Sequence, residues 1–176
     1  NLEKIEKEID FFKGFCQPIY YVIQTGSLVK EINQIGTFNK FFVQKASILL
    51  KEKGLRLKEH NDDYLSKEEL MSRTGIVDAM NIAPQLGVIQ TQIILNKCLL
   101  YGIDATDFMD EAYRGGKWKK WLNKNGAGNK LLCSTIAGHY HFTSDFYKKI
   151  ISRLEEREDI HENIINTFTD LIDHYE

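Results

Sequence analysis

The chain has 176 residues, of which 43% are hydrophobic and 27% charged, and a formal net charge of -2. This is the composition of a globular protein with a real core, and the near-neutral charge disfavours a nucleic-acid partner. The apolar runs, such as residues 19–23, are far shorter than the ~20 residues of a membrane helix, so we expect no membrane association. The scattered cysteines at positions 16, 98 and 133 indicate reduced core residues in a cytoplasmic protein.

The first part of the chain alternates short apolar runs with amphipathic segments. β-branched and aromatic runs without polar alternation are typical of strands buried on both faces of a parallel sheet. Apolar residues at helical spacing predict the helices between them, and Ser66 with Glu69 predicts a capping box. The predicted elements are a helix over residues 2–12, a strand over 19–23, a helix over 38–53, a strand over 55–59, a short helix after Ser66, a strand over 77–82 and a helix over 86–100.

This alternation indicates βαβ units with a parallel sheet. Right-handed crossovers would place the strand-to-helix loops, at residues 24–36, 60–65 and 81–87, on one edge of the sheet. Ligands bind at this carboxyl edge in barrels and in open α/β sheets.

From Asp104 onward the pattern becomes helical. We expect helices over residues 105–113, 118–122, 131–137, 143–153 and 160–175, with a turn over 123–128. The sequence therefore predicts βα units over residues 1–103 and a helical C-terminal extension over residues 104–176. Three strands cannot close a barrel, and the chain enters a helix directly at Asn1. We expect a piece of a longer chain, although an intact small protein that completes its sheet by dimerising is an alternative.

Several loop sequences resemble one known family. Residues 21–26 with the later Asn33 resemble a strand and loop containing V-Q-P-G. Residues 59–64 are similar to an A-H-S-T-D-Y loop, and residues 81–87 to a V-G-P-A-L-T segment. Trp118, residues 126–129 and residues 138–145 resemble a W…G-D-G-N…G-Y-S-Y-S-D ending. In order and spacing, the chain resembles the accessory (non-catalytic) subunits of class II D-tagatose-bisphosphate aldolase.

The resemblance implies the later half of an aldolase-type (β/α)₈ TIM barrel in carbohydrate metabolism. It implies a sugar-phosphate ligand and a role as a non-catalytic partner of a catalytic aldolase subunit, or a homo-oligomer. The alternative is a zinc-dependent ketose-bisphosphate aldolase or a sugar-acid epimerase in its own right. In either case we expect this chain alone to be inactive.

His60 is the main candidate for metal chemistry, because it follows a strand and lies beside carboxylates. In class II aldolases a histidine after a late strand is a zinc ligand, and His60 matches that position. A catalytic zinc takes about three protein ligands. The first loop offers Glu31 but no histidine, so the remaining ligands would have to come from outside the chain. A histidine hydrogen-bonded in a polar loop is the alternative.

The other candidates would bind substrate. Asn61, Asp62 and Asp63 could hydrogen-bond sugar hydroxyls, although such residues also bond to their own backbone in turns. Asn81 precedes a helix N-terminus that could face a phosphate, or could simply form a turn. The remaining expected substrate residues lie in the first loop, and they are Gln24, Gly26 and Asn33.

Two further features carry weaker hypotheses. His139 and His141 form an H-x-H pair that could bind a metal. Lysines at 117, 119, 120, 124 and 130 surround Trp118 and Trp121, but such runs are usually solvated faces, and the chain as a whole is acidic.

Overall fold

The computed structural model describes residues 1–126 and 128–176. The chain forms two compact units, the first made of residues 1–29 and 34–82, and the second of residues 30–33 and 83–176. The expected boundary at residue 103 falls inside the second unit. Ala127, in the expected turn over residues 123–128, lies outside the described residues.

The first unit contains the elements of the predicted βα pattern that lie before residue 83. Its elements are α1 (Leu2–Lys13), β1 (Tyr20–Ile23), β2 (Val29–Lys30), β3 (Asn33–Gln34), α2 (Lys40–Glu52), β4 (Arg56–Glu59) and α3 (Lys67–Arg73). Strands β2 and β3 form a hairpin whose tip, residues 30–33, is assigned to the second unit. The short β2–β3 hairpin corrects the prediction of a plain loop over residues 24–36.

The sheet of the first unit is parallel, as predicted. β1 pairs with β4, with Tyr20 opposite Arg56 and Ile23 opposite Glu59. The third predicted strand, residues 77–82, is reduced to one parallel bridge between Lys58 and Ala79. The physical reason is local, because the Asp78 carboxylate accepts the Leu57 backbone N–H at 2.8 Å. The Asp78 carboxylate therefore occupies the Leu57 N–H, which in a continuous parallel ladder would donate to a backbone carbonyl of the neighbouring strand.

One face of this sheet carries the core of the first unit. Helices α1 and α2 contribute to it, and the core residues are Ile5, Ile9, Ile23, Val43, Ala46, Leu50, Leu55, Leu57 and Ile76. The opposite face is open, because Tyr20 and Val22 of β1 are 41% and 53% exposed. The expectation of strands buried on both faces is therefore wrong within this chain.

The start of α3 confirms the predicted capping box. The Ser66 hydroxyl accepts the Glu69 backbone N–H, and the Glu69 carboxylate accepts the Ser66 backbone N–H at 2.8 Å. These reciprocal bonds satisfy donors that a helix start otherwise leaves unpaired.

The second unit is helical. It contains α4 (Pro84–Tyr101), α5 (Thr106–Gly115), α6 (Lys130–Ala137), α7 (Asp145–Glu155) and α8 (Ile160–Tyr175), with short 3-10 helices at Lys117–Lys120 and Gly138–His141. Gly102 ends α4 at φ 63°, a left-handed conformation that favours glycine. The fully buried core residues include Ile94, Phe108, Leu154 and Ile160.

The cysteines depart in part from expectation. Cys98 and Cys133 are buried, and burial raises the pKa of the Cys98 thiol to about 11. Cys16 is exposed, and it lies in the segment between α1 and β1. Within residues 1–126 and 128–176, no helix has both the length and the apolar character needed to cross a membrane.

Candidate functional site

The carboxyl ends of β1 and β4 lie side by side. Ile23 pairs with Glu59, so Gln24 and His60 leave the sheet at the same edge. The Asp62 backbone N–H donates to the Asn81 carbonyl at 3.1 Å, which brings Asn81 to this edge as well. The first unit therefore places Gln24, His60 and Asn81 at one edge of the sheet, as the strand order predicted.

A buried ion pair lies directly beneath this edge. Glu59 and Arg73 have side chains only 0% and 2% exposed, and Arg73 Nε donates to Glu59 Oε2 at 2.8 Å. Arg73 Nη2 donates to the other carboxylate oxygen at 3.2 Å. Sequence reasoning missed this pair, although one signal was available. In a strand, Glu59 shares a face with Leu57, and a carboxylate on a core face needs a partner.

Neighbouring side chains make further contacts with both members of the ion pair. The Thr25 hydroxyl donates to Glu59 Oε1, and the Ser27 hydroxyl donates to the same oxygen at 2.5 Å. The Arg73 guanidinium lies 4.2 Å from the centre of the Phe38 ring. Because a buried ion pair is stable only when its remaining hydrogen bonds are made, this network ties the loop after β1 to β4 and α3.

Asp62 belongs to the same buried network. Its Oδ2 accepts the Asn81 backbone N–H at 2.9 Å. Burial, and then the charge of Glu59, raise the pKa of Asp62 to about 8, against an ordinary value of 3.8. The Asp62 carboxyl group is therefore mostly protonated at neutral pH. Asp62 and Asp63 are fully buried, so in this conformation neither offers its carboxyl group to solvent.

Gln34 holds the loop after β4 in place. Its Nε2 donates to the carbonyls of Asn61, at 2.9 Å, and Asp63, at 3.1 Å. Its Oε1 accepts the Leu28 backbone N–H at 2.6 Å. Asn61 has φ 65°, a left-handed conformation that asparagine tolerates better than most residues. No sequence pattern points to Gln34, because a side-chain amide that binds backbone carbonyls has no characteristic spacing.

The remaining predicted residues lie nearer the surface. Gln24 and Gly26 are exposed, His60 and Asn81 are half-buried, and Asn33 is exposed at the hairpin tip within the second unit. Gly26 has φ 109°, and an added Cβ would lie 2.0 Å from the Thr37 carbonyl oxygen. A glycine is therefore required here for the backbone itself, whatever ligand binds.

The described residues do not fit a zinc ion on their own. No group of three or more histidine, cysteine, aspartate or glutamate side chains within residues 1–126 and 128–176 is arranged to hold a metal. His60 would therefore need ligands from outside this chain. His141 Nδ1 lies 3.9 Å from Glu111 Oε1, which is an ion-pair distance when the histidine is protonated.

Comparisons with solved structures give distant relatives, one of which is described here. No protein-family model and no curated protein sequence matches the chain. The structure resembles the crystal structure of a probable tagatose 6 phosphate kinase from Sinorhizobium meliloti 1021, with a TM-score of 0.61 and 15% sequence identity. The match covers 86% of this chain and 44% of that protein, so the chain spans less than half of its relative's length. At this identity the likeness establishes a shared mixed α/β fold.

Proposed function

We propose that this chain is part of a sugar-phosphate-binding, aldolase-like (β/α)₈ barrel of carbohydrate metabolism. Its role is that of an accessory subunit for a class II tagatose-bisphosphate aldolase. The observation that carries this proposal is the shared carboxyl edge of β1 and β4, where Gln24, His60 and Asn81 lie together. Ligands of barrels and open α/β sheets bind at that edge.

Two further observations support the barrel. The open sheet face, with Tyr20 and Val22, is the face that would line a barrel interior once further strands close the sheet. The structural relative from Sinorhizobium meliloti is named for a tagatose phosphate, and the chain matches 44% of its length. Both agree with the loop sequences that resemble the accessory-subunit family.

The buried network suits a phosphorylated ligand. A protonated Asp62 beneath the edge adds no negative charge, whereas an ionised carboxylate would repel a phosphate. Gln24 and Asn81 carry amide groups that can both donate to and accept from sugar hydroxyls. The ion pair of Glu59 and Arg73 fixes the loops that present these amides.

The alternative is a metal-dependent aldolase or epimerase. It is supported by the position of His60 at a strand's carboxyl end, where a metal ligand would lie. It requires at least two more ligands from outside the chain, because three protein ligands are usual for catalytic zinc.

The proposal is tested by mixing the purified chain with a catalytic class II tagatose-bisphosphate aldolase subunit. We expect a longer half-life of the catalytic subunit at elevated temperature, with no cleavage by this chain alone. The His60→Ala variant should support the partner equally well. Zinc-dependent cleavage by the chain alone would establish the enzyme alternative. No effect on the partner, or phosphoryl transfer from ATP to tagatose 6-phosphate, would contradict the accessory role.

A further inference from the structure

A cleft lies at the amino ends of β1 and β4, at the opposite edge of the sheet from Gln24 and His60. It is formed within the first unit, and its volume of about 790 Å³ is in the range of small-molecule sites. The end of α1, the loop into β1, the loop into β4 and the first residue of β4 line it. Each strand has four residues, so about 13 Å of sheet separates this cleft from the strand edge.

Three cations line the cleft, and no carboxylate of the described residues does. They are Lys13, Lys53 and Arg56. The Lys53 ammonium group is already paired, with Glu6 Oε1 at 3.0 Å and with Asp10 Oδ1 at 3.1 Å. Binding of an anion from solution therefore depends on the other two cations.

Lys13 and Arg56 both retain free hydrogen-bond donors. Lys13 Nζ donates to the Lys53 carbonyl, which holds the lysine at the cleft and leaves its other N–H groups for a ligand. The Arg56 backbone N–H donates to the Ile19 carbonyl at 2.9 Å, so strand pairing fixes its backbone. Its exposed guanidinium makes no ion pair or hydrogen bond with the described residues. A guanidinium offers its donors in a planar fork that matches the oxygens of a phosphate.

The rest of the lining includes apolar surface. Pro18 and Ile19 both line the cleft, and Ile19 is 65% exposed. A phosphate ion is much smaller than the cleft and would leave this apolar surface in contact with water. A phosphate ester with an organic group of moderate size would cover the apolar surface and reach the cations.

We propose that this cleft binds a small organic phosphate, at a site separate from the strand edge. The phosphate would accept hydrogen bonds from Arg56 and Lys13, and the organic group would contact Pro18 and Ile19. Arginine binds phosphate through paired N–H groups, and lysine binds it as a point charge. Because such a ligand would join the end of α1 to both loops, it would stabilise the folded first unit. The inference does not depend on the proposed function.

The test is a calorimetric titration of the intact chain with phenyl phosphate, which combines a phosphate with an apolar ring. We expect saturable binding, and Arg56→Gln should raise the Kd about tenfold. Lys13→Gln should raise it by a smaller factor. The matched control is Lys40→Gln, which removes an exposed lysine at the start of α2. Lys40 lies about 20 Å along the helix from Lys53 at the cleft, so the Kd should change less than about twofold.

Further probes separate binding in the cleft from diffuse charge attraction. Phenol and inorganic phosphate should each bind more weakly than phenyl phosphate, because each provides only one half of the contacts. Equal losses of affinity in Arg56→Gln and Lys40→Gln would show that the attraction is diffuse and would overturn the proposal. Binding of phenol as tight as that of phenyl phosphate would also overturn it.

Cys16 provides an independent readout of the location, because it lines the cleft and is exposed, whereas Cys98 and Cys133 are buried. The ratio of its alkylation rates by iodoacetate and by iodoacetamide reports the local potential, since only iodoacetate is charged. We expect this ratio to fall in Arg56→Gln and to stay unchanged in Lys40→Gln. Saturating phenyl phosphate should slow both reagents in the wild type. Unchanged rates with the ligand bound would show that it binds elsewhere and would overturn the proposal.

Discussion

The two units each place a cation over an aromatic ring, with opposite consequences. In the first unit the Arg73 guanidinium lies 4.2 Å from the Phe38 ring centre, and Arg73 is 2% exposed and paired with Glu59. In the second unit Lys120 Nζ lies 5.0 Å from the Tyr140 ring centre and is exposed. Burial decides the role of each cation. A buried cation fixes the fold, whereas an exposed cation remains available to a ligand.

The largest effect is expected from removing Arg73. Arg73→Met keeps an apolar stem but leaves Glu59 buried without its partner, so we expect a loss of about 3–5 kcal/mol in the free energy of unfolding. Urea denaturation measures it. The matched control is Lys53→Met, which removes a lysine whose side chain is 27% exposed and has carboxylates of Glu6 and Asp10 at 3.0 and 3.1 Å. That change should cost far less than Arg73→Met, because solvent screens these pairs.

A double variant sharpens this first prediction. Glu59→Leu combined with Arg73→Met replaces both charges by apolar groups, and it should recover part of the stability lost in Arg73→Met. Equal losses for Arg73→Met and Lys53→Met would contradict the role that we assign to burial.

The next effect concerns the pH dependence of stability. The pKa of Asp62 in the folded chain, about 8, lies above its ordinary value of 3.8, so between these values the folded state binds the proton more tightly. Stability from this group is therefore fully present at the acid end of the window and is lost as pH rises towards 8. We expect Asp62→Asn, which resembles the protonated form, to remove this loss. The pH-dependent loss of stability in the wild type, relative to Asp62→Asn, should be on the order of 2 kcal/mol. It is smaller than the full pKa difference implies, because neighbouring groups relax around the charge.

The measurement is a set of urea denaturation curves at several pH values for both proteins. The difference between wild type and variant isolates Asp62 from other titrating groups. If the difference stays constant across this window, the account of a neutral Asp62 beneath the site is wrong.

A smaller effect tests packing in the second unit. An added Cβ at Gly87, inside α4, would lie 2.5 Å from the Cβ of His139. Such overpacking costs about 1–3 kcal/mol of stability, whereas the higher helix propensity of alanine returns about 0.5–1 kcal/mol. Gly87→Ala should therefore lower the free energy of unfolding by about 1 kcal/mol. Gly115→Ala is the comparison, because its Cβ would meet the movable end of the His141 ring at 2.8 Å. Thermal denaturation should show a smaller loss of stability for Gly115→Ala than for Gly87→Ala. The reverse order would contradict the close packing of α4 against His139.

The smallest effect is expected at His60. Because this side chain is half-buried at the end of β4 and outside the ion pair, His60→Ala should change stability by less than about 0.5 kcal/mol. Zinc titration of the wild-type chain by calorimetry should give no tight, stoichiometric site. Binding at nanomolar concentration that survives in His60→Ala would direct attention to His139 and His141.

Local signals explain which parts of the fold were predictable. α8 and the capping box of α3 follow from side-chain spacing and cap chemistry, which depend on residues close in sequence. The parallel pairing of β1 and β4 follows from the alternation of elements. The β2–β3 hairpin was missed because each strand has only two residues, too few to show a period.

The candidate site was predictable only in outline. Strand polarity placed Gln24, His60 and Asn81 at one edge, but nothing local joins Glu59 to Arg73 fourteen positions later. Asp62 was expected to hydrogen-bond sugar hydroxyls, but its side chain is buried. Its burial depends on long-range packing, including the bond to the Asn81 backbone nineteen positions away. Such contacts are set by the tertiary fold and leave no periodic signal in the sequence.

The central claim is tested most directly by nuclear magnetic resonance of the isotope-labelled chain during titration with tagatose 6-phosphate. The account predicts saturable shifts at the backbone amides of Gln24, His60 and Asn81, and much weaker shifts with unphosphorylated tagatose. These shifts should persist in Lys120→Gln, which replaces an exposed lysine of the second unit. Unchanged resonances at all three strand-edge residues, with the sugar phosphate in excess, would contradict the account.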